Sequence, residues 1–330
     1  MIPRLLTFVA ISIAIYFSIA LGLIASQRPG PLPERAGLDF SEIVGEGAEP
    51  EGLQARSLKA RDGQALTYAH VKTPGADELP LVIMLHGSGW YHGQFAGLAR
   101  ALRDVAEVKA LTLRGHGKDP ARRGDVDYTG QLEDDIADLI AQSGGGAGRK
   151  VILLGHSSGG GLAVRFAGGA HGPLADGMIL LAPFLKHDAP TTRPNSGGWA
   201  HVLTRRIIGL SMLNTVGITA LDHLPMIQFA MPRAVLEGPL GAYATTRYSW
   251  RLNKSYAPRG DYLADVAALP PFLLIAGRDD EAFVAEGYAP LMGAVTDKGR
   301  YEIVDGAGHL DIVDSPQTET LIRDYLLGLD

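Results

Sequence analysis

A serine stands at the centre of a G-x-S-x-G pentapeptide, residues 155–159, directly after the apolar run 151–154. The run predicts a buried strand, and the residues after the pentapeptide predict a helix. On a sharp turn between the two, the Ser157 hydroxyl would project above a sheet, with glycines leaving room for the bend. Ordinary Gly-rich turns also produce this pattern, but the strand and helix around it favour a nucleophile. We therefore predict acyl-transfer chemistry at Ser157.

A serine hydroxyl needs a base to take its proton, and His309 is the histidine placed for that role. Where a serine occupies such a turn, an acid and then a histidine follow it along the chain. Of the ten histidines, only His309 lies beyond the apolar run 272–276, after which the acid is expected. It belongs to the glycine-containing stretch 306–310, which predicts a turn after a strand.

Two adjacent aspartates are candidates for the acid, because Asp279 and Asp280 both follow the run 272–276. The acid holds the imidazole in one orientation and stabilises the imidazolium. Neighbouring side chains point in different directions, so only one of the two can face His309. We predict Asp280, keep Asp279 as the alternative, and place Asp311 last because it follows the histidine.

An acyl-transfer intermediate carries an oxyanion that needs preorganised hydrogen-bond donors. The stretch 86–90 follows the apolar run 81–85, where a backbone N–H of this kind is expected, and the residue after the nucleophile supplies a second one. We predict that the main-chain N–H groups of Ser88 and Ser158 form the oxyanion hole. His86 is expected to be a structural hydrogen-bonding residue.

Strands and helices alternate over most of the chain, which predicts an α/β fold with a doubly wound, mostly parallel sheet. A hairpin over 53–60 and 65–72 precedes this alternation. Apolar runs then predict strands at 81–85, 108–113, 151–154, 178–181, 272–276 and 301–304. About ninety residues separate the fourth and fifth of these runs, far more than one crossover helix needs. The excess predicts an inserted, mainly helical cap over about 186–262.

One predicted helix carries an acidic cluster. Its apolar face comprises Tyr128, Leu132, Ile136, Leu139 and Ile140. The residues expected on its solvated face are Glu133, Asp134, Asp135 and Asp138. This pattern is typical of a solvent-exposed helix surface whose negative charges near the N-terminus interact favourably with the helix dipole, and not of a metal site.

The N-terminus predicts a membrane segment. Twenty-one uncharged residues, 5–25, follow Arg4, and a bilayer span needs about 20 apolar residues, more than a signal peptide normally has. We interpret residues 1–27 as a single-pass anchor, with cleavage after Ala25 and secretion as the alternative. Residues 28–52 are rich in Pro, Gly and Glu and read as a linker to a hydrolase domain over 53–330. The positive charges on the two sides of the apolar segment are nearly equal in number, so they barely favour one orientation. We expect the catalytic domain to lie outside the cytoplasm, at the cell membrane.

Composition excludes several classes of function. The 330-residue chain has no cysteine, so disulfides, thiolate metal sites and a cysteine nucleophile are excluded. A net charge of −6 gives no reason to expect nucleic acid as a partner. Neither a G-x-G-x-x-G nor a P-loop sequence is present, and we expect no cofactor and no metal.

Several short motifs occur in the same order as in one enzyme family. They are His86-Gly87, Arg114-Gly115-His116-Gly117, the pentapeptide 155–159, the turn 277–280 and Gly308-His309. Over roughly 53–185 and 262–330 the chain resembles the α/β-hydrolase family of monoacylglycerol-lipase, lysophospholipase and serine-aminopeptidase type. The resemblance implies metal-free hydrolysis of an ester, less often an amide, through an acyl-enzyme. The sequence departs from the family pattern at Thr112 and Asp119, where family members commonly carry Asp and a small hydroxyl residue.

The resemblance does not extend to the predicted cap, but the cap is apolar. Its apolar residues are Ile207, Ile208, Leu210, Met212, Leu213, Val216, Ile218, Leu224, Met226, Ile227, Phe229 and Met231. They either fill the core of the cap or line an acyl-chain pocket; His187, His201 and His223 are expected to be bystanders. The predicted substrate is a lipid-like monoester. An aminopeptidase, a small-ester hydrolase and an inactive membrane-tethered binding protein remain alternatives.

Overall fold

The structure, a computed structural model, describes residues 2–32, 37–41, 53–71, 75–146 and 148–329. Its strands are β1 Gln54–Lys59, β2 Ala65–His70, β3 Leu81–Leu85, β4 Glu107–Leu111, β5 Val151–His156, β6 Gly177–Leu181, β7 Ala200–Val202, β8 Pro225–Phe229, β9 Arg247–Ser249, β10 Phe272–Gly277 and β11 Gly299–Val304. Its α-helices are α1 Ile2–Ala25, α2 Ala96–Ala101, α3 Gln131–Gln142, α4 Ser158–Ala167, α5 Thr204–Thr215, α6 Arg233–Glu237, α7 Trp250–Tyr256, α8 Tyr262–Ala267, α9 Tyr288–Gly293 and α10 Pro316–Leu327.

Eight strands form the main sheet in the order β1-β2-β4-β3-β5-β6-β10-β11. All pairs from β4 to β11 are parallel, and β1 and β2 pair antiparallel at one edge. Every residue of β3, β5, β6 and β10 is buried, as expected of strands covered by helices on both faces. The predicted doubly wound, mostly parallel sheet is therefore confirmed. The strand predicted to end at Lys72 ends at His70, and Lys72 lies outside the described residues.

The chain leaves the sheet between β6 and β10 and forms the predicted insertion. It contains helices α5 to α7 and also a second, three-stranded antiparallel sheet, in the order β7-β8-β9. The small sheet was not predicted from the sequence, because strands of three to five residues are too short for a readable alternation.

Helix α1 lies against helix α5 of the insertion. The Tyr16 hydroxyl donates a hydrogen bond to the Met212 carbonyl oxygen at 2.6 Å. A side chain at Gly209 would collide with the Ala20 carbonyl and the Ile24 side chain, so the two helices approach through a glycine. By length and composition, α1 is able to cross a membrane, although a signal sequence near an N-terminus meets the same criterion.

The described parts of the stretch 28–52, which the sequence predicts to be a linker, lie on the hydrolase body. Gly30 exchanges two hydrogen bonds with the Gln228 side chain, at 3.2 and 2.8 Å. Further along, Phe40 is buried within the main hydrophobic core. Residues 33–36 and 42–52 lie outside the described residues.

The acidic residues of α3 correct another expectation, because two of them are buried. Glu133 pairs with Arg165 and Arg259 at 2.6 and 2.7 Å, and Asp135 pairs with Arg114 at 2.7 Å. The three arginines come from distant parts of the chain, so the helical pattern carried no sign of them. Buried carboxylates of this kind require such partners.

The start of α3 also differs from the prediction. Tyr128 precedes the helix and is 45% exposed, so it does not belong to the apolar face. Its hydroxyl donates to Asp134, which is half-buried, as is Asp138. Both of these aspartates pair with Arg61 from the β1–β2 turn at 2.8 Å.

Candidate active site

Ser157 occupies a strained turn between β5 and α4. Its backbone has φ 55° and ψ −120°, a left-handed conformation that costs a non-glycine residue about 1–3 kcal/mol. A side chain at Gly155 would collide with the carbonyl of Gly159, and one at Gly159 would collide with that of Leu85. The two glycines of the pentapeptide are therefore required by close backbone approach, and the turn they permit exposes the serine hydroxyl to the cavity above the sheet.

The structure brings Ser157, His309 and Asp280 together from the ends of β5, β11 and β10. Ser157 Oγ lies 2.9 Å from His309 Nε2, and His309 Nδ1 lies 2.8 Å from Asp280 Oδ2. The other carboxylate oxygen of Asp280 accepts the N–H groups of Ala282 and Phe283, both at 2.7 Å. The three side chains thus form one continuous hydrogen-bonded chain.

The environment of Asp280 keeps its carboxylate ionised. Burial alone would raise the pKa of Asp280, but the neighbouring His309 and the hydrogen bonds from His309 and two backbone N–H groups outweigh it and hold the pKa below its ordinary value. The adjacent Asp279 is exposed. Asp311 accepts the backbone N–H of Gly308 at 3.0 Å. Of the three candidate acids, the structure places Asp280 against the imidazole.

Ser88 and Ser158, the predicted oxyanion donors, both border the cavity at Ser157. The N–H groups on either side of Ser88 have partners: Gly87 donates to Gln94 at 2.8 Å, and Gly89 donates to the Tyr248 hydroxyl at 2.6 Å. Among the described residues, the Ser88 N–H has no acceptor. The Ser158 N–H opens α4, where the first N–H groups have no partner within the helix.

Gln94 connects the loop after β3 to the end of β5, and sequence reasoning missed it. Its side chain accepts the Gly87 N–H and donates to His156 Nδ1 at 2.7 Å. His156 Nε2 in turn donates to the His309 carbonyl oxygen at 2.8 Å. Gln94 lies in a 3-10 turn without a motif, so no local pattern predicted it.

The insertion also contacts the loop after β3. The Tyr248 hydroxyl accepts from Gly89 and donates to His116 Nε2 at 2.6 Å, while the Tyr256 hydroxyl donates to the His86 carbonyl oxygen. His86 Nδ1 donates to the Gly87 carbonyl oxygen at 2.8 Å. These contacts hold the loop that carries Ser88 from both sides.

Three buried histidines have lowered pKa values, and from these we predict how the free energy of unfolding depends on pH. Burial lowers the pKa of His116 to about 4; burial and the nearby His309 lower that of His156 to about 3; and burial lowers that of His86 well below its ordinary 6.5. The unfolded chain therefore binds more protons below pH 6.5, and the free energy of unfolding falls as the pH drops. At pH 5 each such histidine costs about 2 kcal/mol relative to pH 7.

Denaturant unfolding at pH 7, 6 and 5 measures this loss. The variant His116→Gln is expected to lose less stability between pH 7 and pH 5 than the wild type, by about one histidine's share. His187→Gln is the matched control, because the His187 side chain is 81% exposed and its replacement should leave the pH dependence unchanged. Equal pH dependence in His116→Gln and wild type would contradict the assignment of a neutral, buried imidazole.

A cavity of about 170 Å³ extends from Ser157 into the insertion. Its apolar lining includes Phe184, Val202, Ile227, Phe229 and Phe283. Its polar lining includes His187, Thr192, Asn195, Ser196 and Asn253. The described residues that line it include no Asp or Glu, and in the described parts of the chain no group of three or more His, Asp or Glu is arranged to hold a metal.

The apolar cap residues divide among three environments. Ile227 and Phe229 line the cavity, and Met231 lines a smaller cavity beside it. Leu210, Leu213 and Met226 are buried in the core. Ile208, Val216 and Ile218 are exposed. Some of these residues therefore lie in the core, some line a cavity and some are exposed; His187 also borders the larger cavity.

Residues 82–321 match the sequence profile described as the alpha/beta hydrolase family. The human monoglyceride lipase is 30% identical over 155 residues, which are 46% of this chain and 49% of the lipase. The chain thus spans about half the length of that relative.

Solved structures share the fold at low sequence identity. A putative aryl esterase from Burkholderia cenocepacia superimposes with a TM-score of 0.60 at 20% identity, covering 83% of this chain and 98% of the esterase. A membrane phospholipase A, described as a bacterial virulence factor, superimposes with a TM-score of 0.58 at 19% identity, covering 99% of this chain and 97% of the phospholipase. At these identities the likeness concerns the fold alone.

Proposed function

Because the chain belongs to the alpha/beta hydrolase family, as its motifs indicated, we propose that it is a serine hydrolase that cleaves lipid-like carboxylic monoesters. The observation that carries the proposal is the hydrogen-bonded series Ser157–His309–Asp280 at the mouth of an apolar cavity. Ser157 is the nucleophile, His309 the general base and Asp280 the orienting acid.

In the acylation step, Ser157 Oγ attacks the ester carbonyl carbon while its proton passes to His309 Nε2. The oxyanion that forms accepts hydrogen bonds from the N–H groups of Ser88 and Ser158. The bond between the carbonyl carbon and the alcohol oxygen then breaks, and that oxygen takes the proton from His309. The alcohol leaves, and the acyl group stays on Ser157.

A water molecule then hydrolyses the acyl-enzyme. It gives a proton to His309 as its oxygen attacks the acyl carbon, and the proton returns to Ser157 Oγ when the carboxylic acid leaves. The ionised Asp280 stabilises the imidazolium in both steps and keeps Nε2 turned towards Ser157.

The lining of the cavity supports a lipid-like acyl group. Aromatic and aliphatic side chains, among them Phe184, Ile227 and Phe229, surround the space beside the nucleophile, and burying each methylene of a chain there contributes about 0.8 kcal/mol. An aminopeptidase substrate carries an ammonium group that needs a carboxylate partner. The described lining contains none, which favours an ester over an aminoacyl amide.

We also propose that α1 stays attached as a single-pass anchor in the cell membrane, with the hydrolase body on the extracytoplasmic side. Its packing against α5 through Gly209 and Tyr16 supports an uncleaved helix, since cleavage would expose the surface of α5 that it covers. An anchored enzyme would meet lipid esters that are concentrated in the same bilayer.

A chain-length series tests the proposal. The full chain in detergent micelles is assayed with p-nitrophenyl acetate, butyrate and octanoate and with aminoacyl p-nitroanilides. The value of kcat/KM is expected to rise by one or more powers of ten from acetate to octanoate, since several buried methylenes contribute about 0.8 kcal/mol each. The Ser157→Ala variant at the same detergent concentration serves as the control for spontaneous hydrolysis.

Each other outcome identifies a different function. A flat or falling ester series would mean a small-ester hydrolase, and faster cleavage of the anilides would mean an aminopeptidase. Absence of turnover with every substrate would indicate an inactive binding protein.

A further inference from the structure

Two cavities meet at the candidate nucleophile. The larger one, of about 170 Å³, extends into the insertion, and the smaller one has a volume of about 20 Å³. Ser88, Ser157, Trp199 and His309 border both of them. A substrate bound at Ser157 therefore has two unequal spaces available for the two parts of an ester.

Residues from the segment before the hydrolase body close the smaller cavity. Leu38 and Phe40 line it, although they lie more than a hundred positions before Ser157 in the chain. The Phe40 ring packs edge-on against Trp90, with centroids 6.0 Å apart, and tilted against Trp199 at 5.6 Å. Phe40 is 7% exposed, so it is a fixed part of the wall.

The same segment is held to the loops of the site by hydrogen bonds. The backbone N–H of Asp39 donates to one carboxylate oxygen of Glu281 at 3.0 Å, and the other oxygen of Glu281 accepts the backbone N–H of His309 at 2.8 Å. On the opposite side, Trp199 Nε1 donates to Ser88 Oγ at 2.9 Å. Phe40 thus packs on a tryptophan that is bonded to a residue of the oxyanion loop.

We propose that Leu38 and Phe40 determine which alcohol portion of the ester the enzyme accepts. The inference rests on the proposed esterase function. A long acyl chain fits only the larger, apolar cavity, which leaves the smaller cavity for the alcohol. With Phe40 in place that space is narrow, so the enzyme prefers esters of small alcohols over those of bulky ones.

Three octanoate esters with alcohols of increasing size test the proposal: methyl, glyceryl and naphthyl octanoate. The Phe40→Ala variant, as the full chain in detergent micelles, is expected to raise kcat/KM for the naphthyl ester relative to the methyl ester by about tenfold or more. A change of this size is typical when a pocket gains room for one or more methylene-sized groups. Phe40→Leu is expected to give a smaller increase. The ratio of octanoate to acetate turnover, measured with one alcohol, is expected to stay at the wild-type value.

Leu32→Ala is the matched control, because Leu32 belongs to the same stretch but lines a groove on the outer surface of the insertion. Its alcohol preference is expected to equal that of the wild type. Circular dichroism establishes that each variant is folded, and Leu38→Ala replaces Phe40→Ala if the latter does not fold. Unchanged alcohol preference in the folded variants, or a change in acyl-length preference instead, overturns the proposal. Failure of the esterase function itself would differ, because the wild type would then cleave none of the esters.

Discussion

Replacing Ser157 with alanine is expected to lower kcat about 10⁶-fold, the loss typical of removing the nucleophile of a catalytic triad. The variant keeps the donors near the oxyanion, but it has no oxygen within reach of His309 Nε2, which lies 2.9 Å from Ser157 Oγ in the wild type. A fluorophosphonate probe reacts with an activated serine, so it is expected to label the wild type once and the variant not at all. Intact mass and the mass of the labelled peptide measure both outcomes.

Ser143→Ala provides a matched control for the labelling. The Ser143 hydroxyl donates to the Leu139 carbonyl oxygen at the end of α3, away from the sheet edge that carries the site. This variant is expected to be labelled and to turn over esters like the wild type. Labelling that persists in Ser157→Ala would assign the nucleophile to another residue.

Replacing Asp280 with asparagine is expected to lower kcat about 10⁴-fold while the protein stays folded. The Asp280 carboxylate accepts a hydrogen bond from the N–H of His309 Nδ1 at 2.8 Å, and this bond leaves Nε2 free to accept the Ser157 proton. An asparagine can present its N–H₂ group to the ring and so favour the wrong tautomer, and it carries no charge to stabilise the imidazolium. Steady-state kinetics with p-nitrophenyl butyrate at pH 8 measure the loss.

Asp279→Asn is the control that the chain itself offers, since it makes the same chemical change one position away. Asp279 is exposed, and its described hydrogen bond is a backbone N–H donated to the Ala307 carbonyl oxygen, which the substitution keeps. Its kcat is expected to stay within a few-fold of the wild type. A large loss in Asp279→Asn and a small one in Asp280→Asn would make Asp279 the acid.

The local pattern of apolar residues was sufficient to predict the strands of the main sheet. Strands β3, β5, β6 and β10 are buried on both faces, so each consists mainly of Val, Ile, Leu, Met and Phe. The parallel arrangement followed from the helices between these runs. The same reasoning failed for the small sheet of the insertion, whose strands are short and only partly buried.

Charged residues were predicted less well, because their burial depends on partners distant in sequence. Glu133 and Asp135 have the spacing of a solvated helix face, yet both are buried against arginines. Arg114 and Arg165 reach them from the end of β4 and from α4, and no feature of residues 128–142 indicates this. A charge pattern by itself therefore does not distinguish a wet surface from a buried ion-pair network.

The sequence by itself determined the parallel sheet, the strained serine turn and the order in which Ser157, the aspartate pair and His309 occur. Each of these depends on local backbone geometry: apolar runs, glycines that permit close approach, and loops that follow strands. Only the tertiary structure decided that Asp280 and not Asp279 faces His309, that Gln94 contacts His156, and that Phe40 lines a cavity beside the nucleophile. These contacts join residues that lie 29 to more than a hundred positions apart in the sequence. They form only when the whole chain packs, so a local sequence pattern does not predict them.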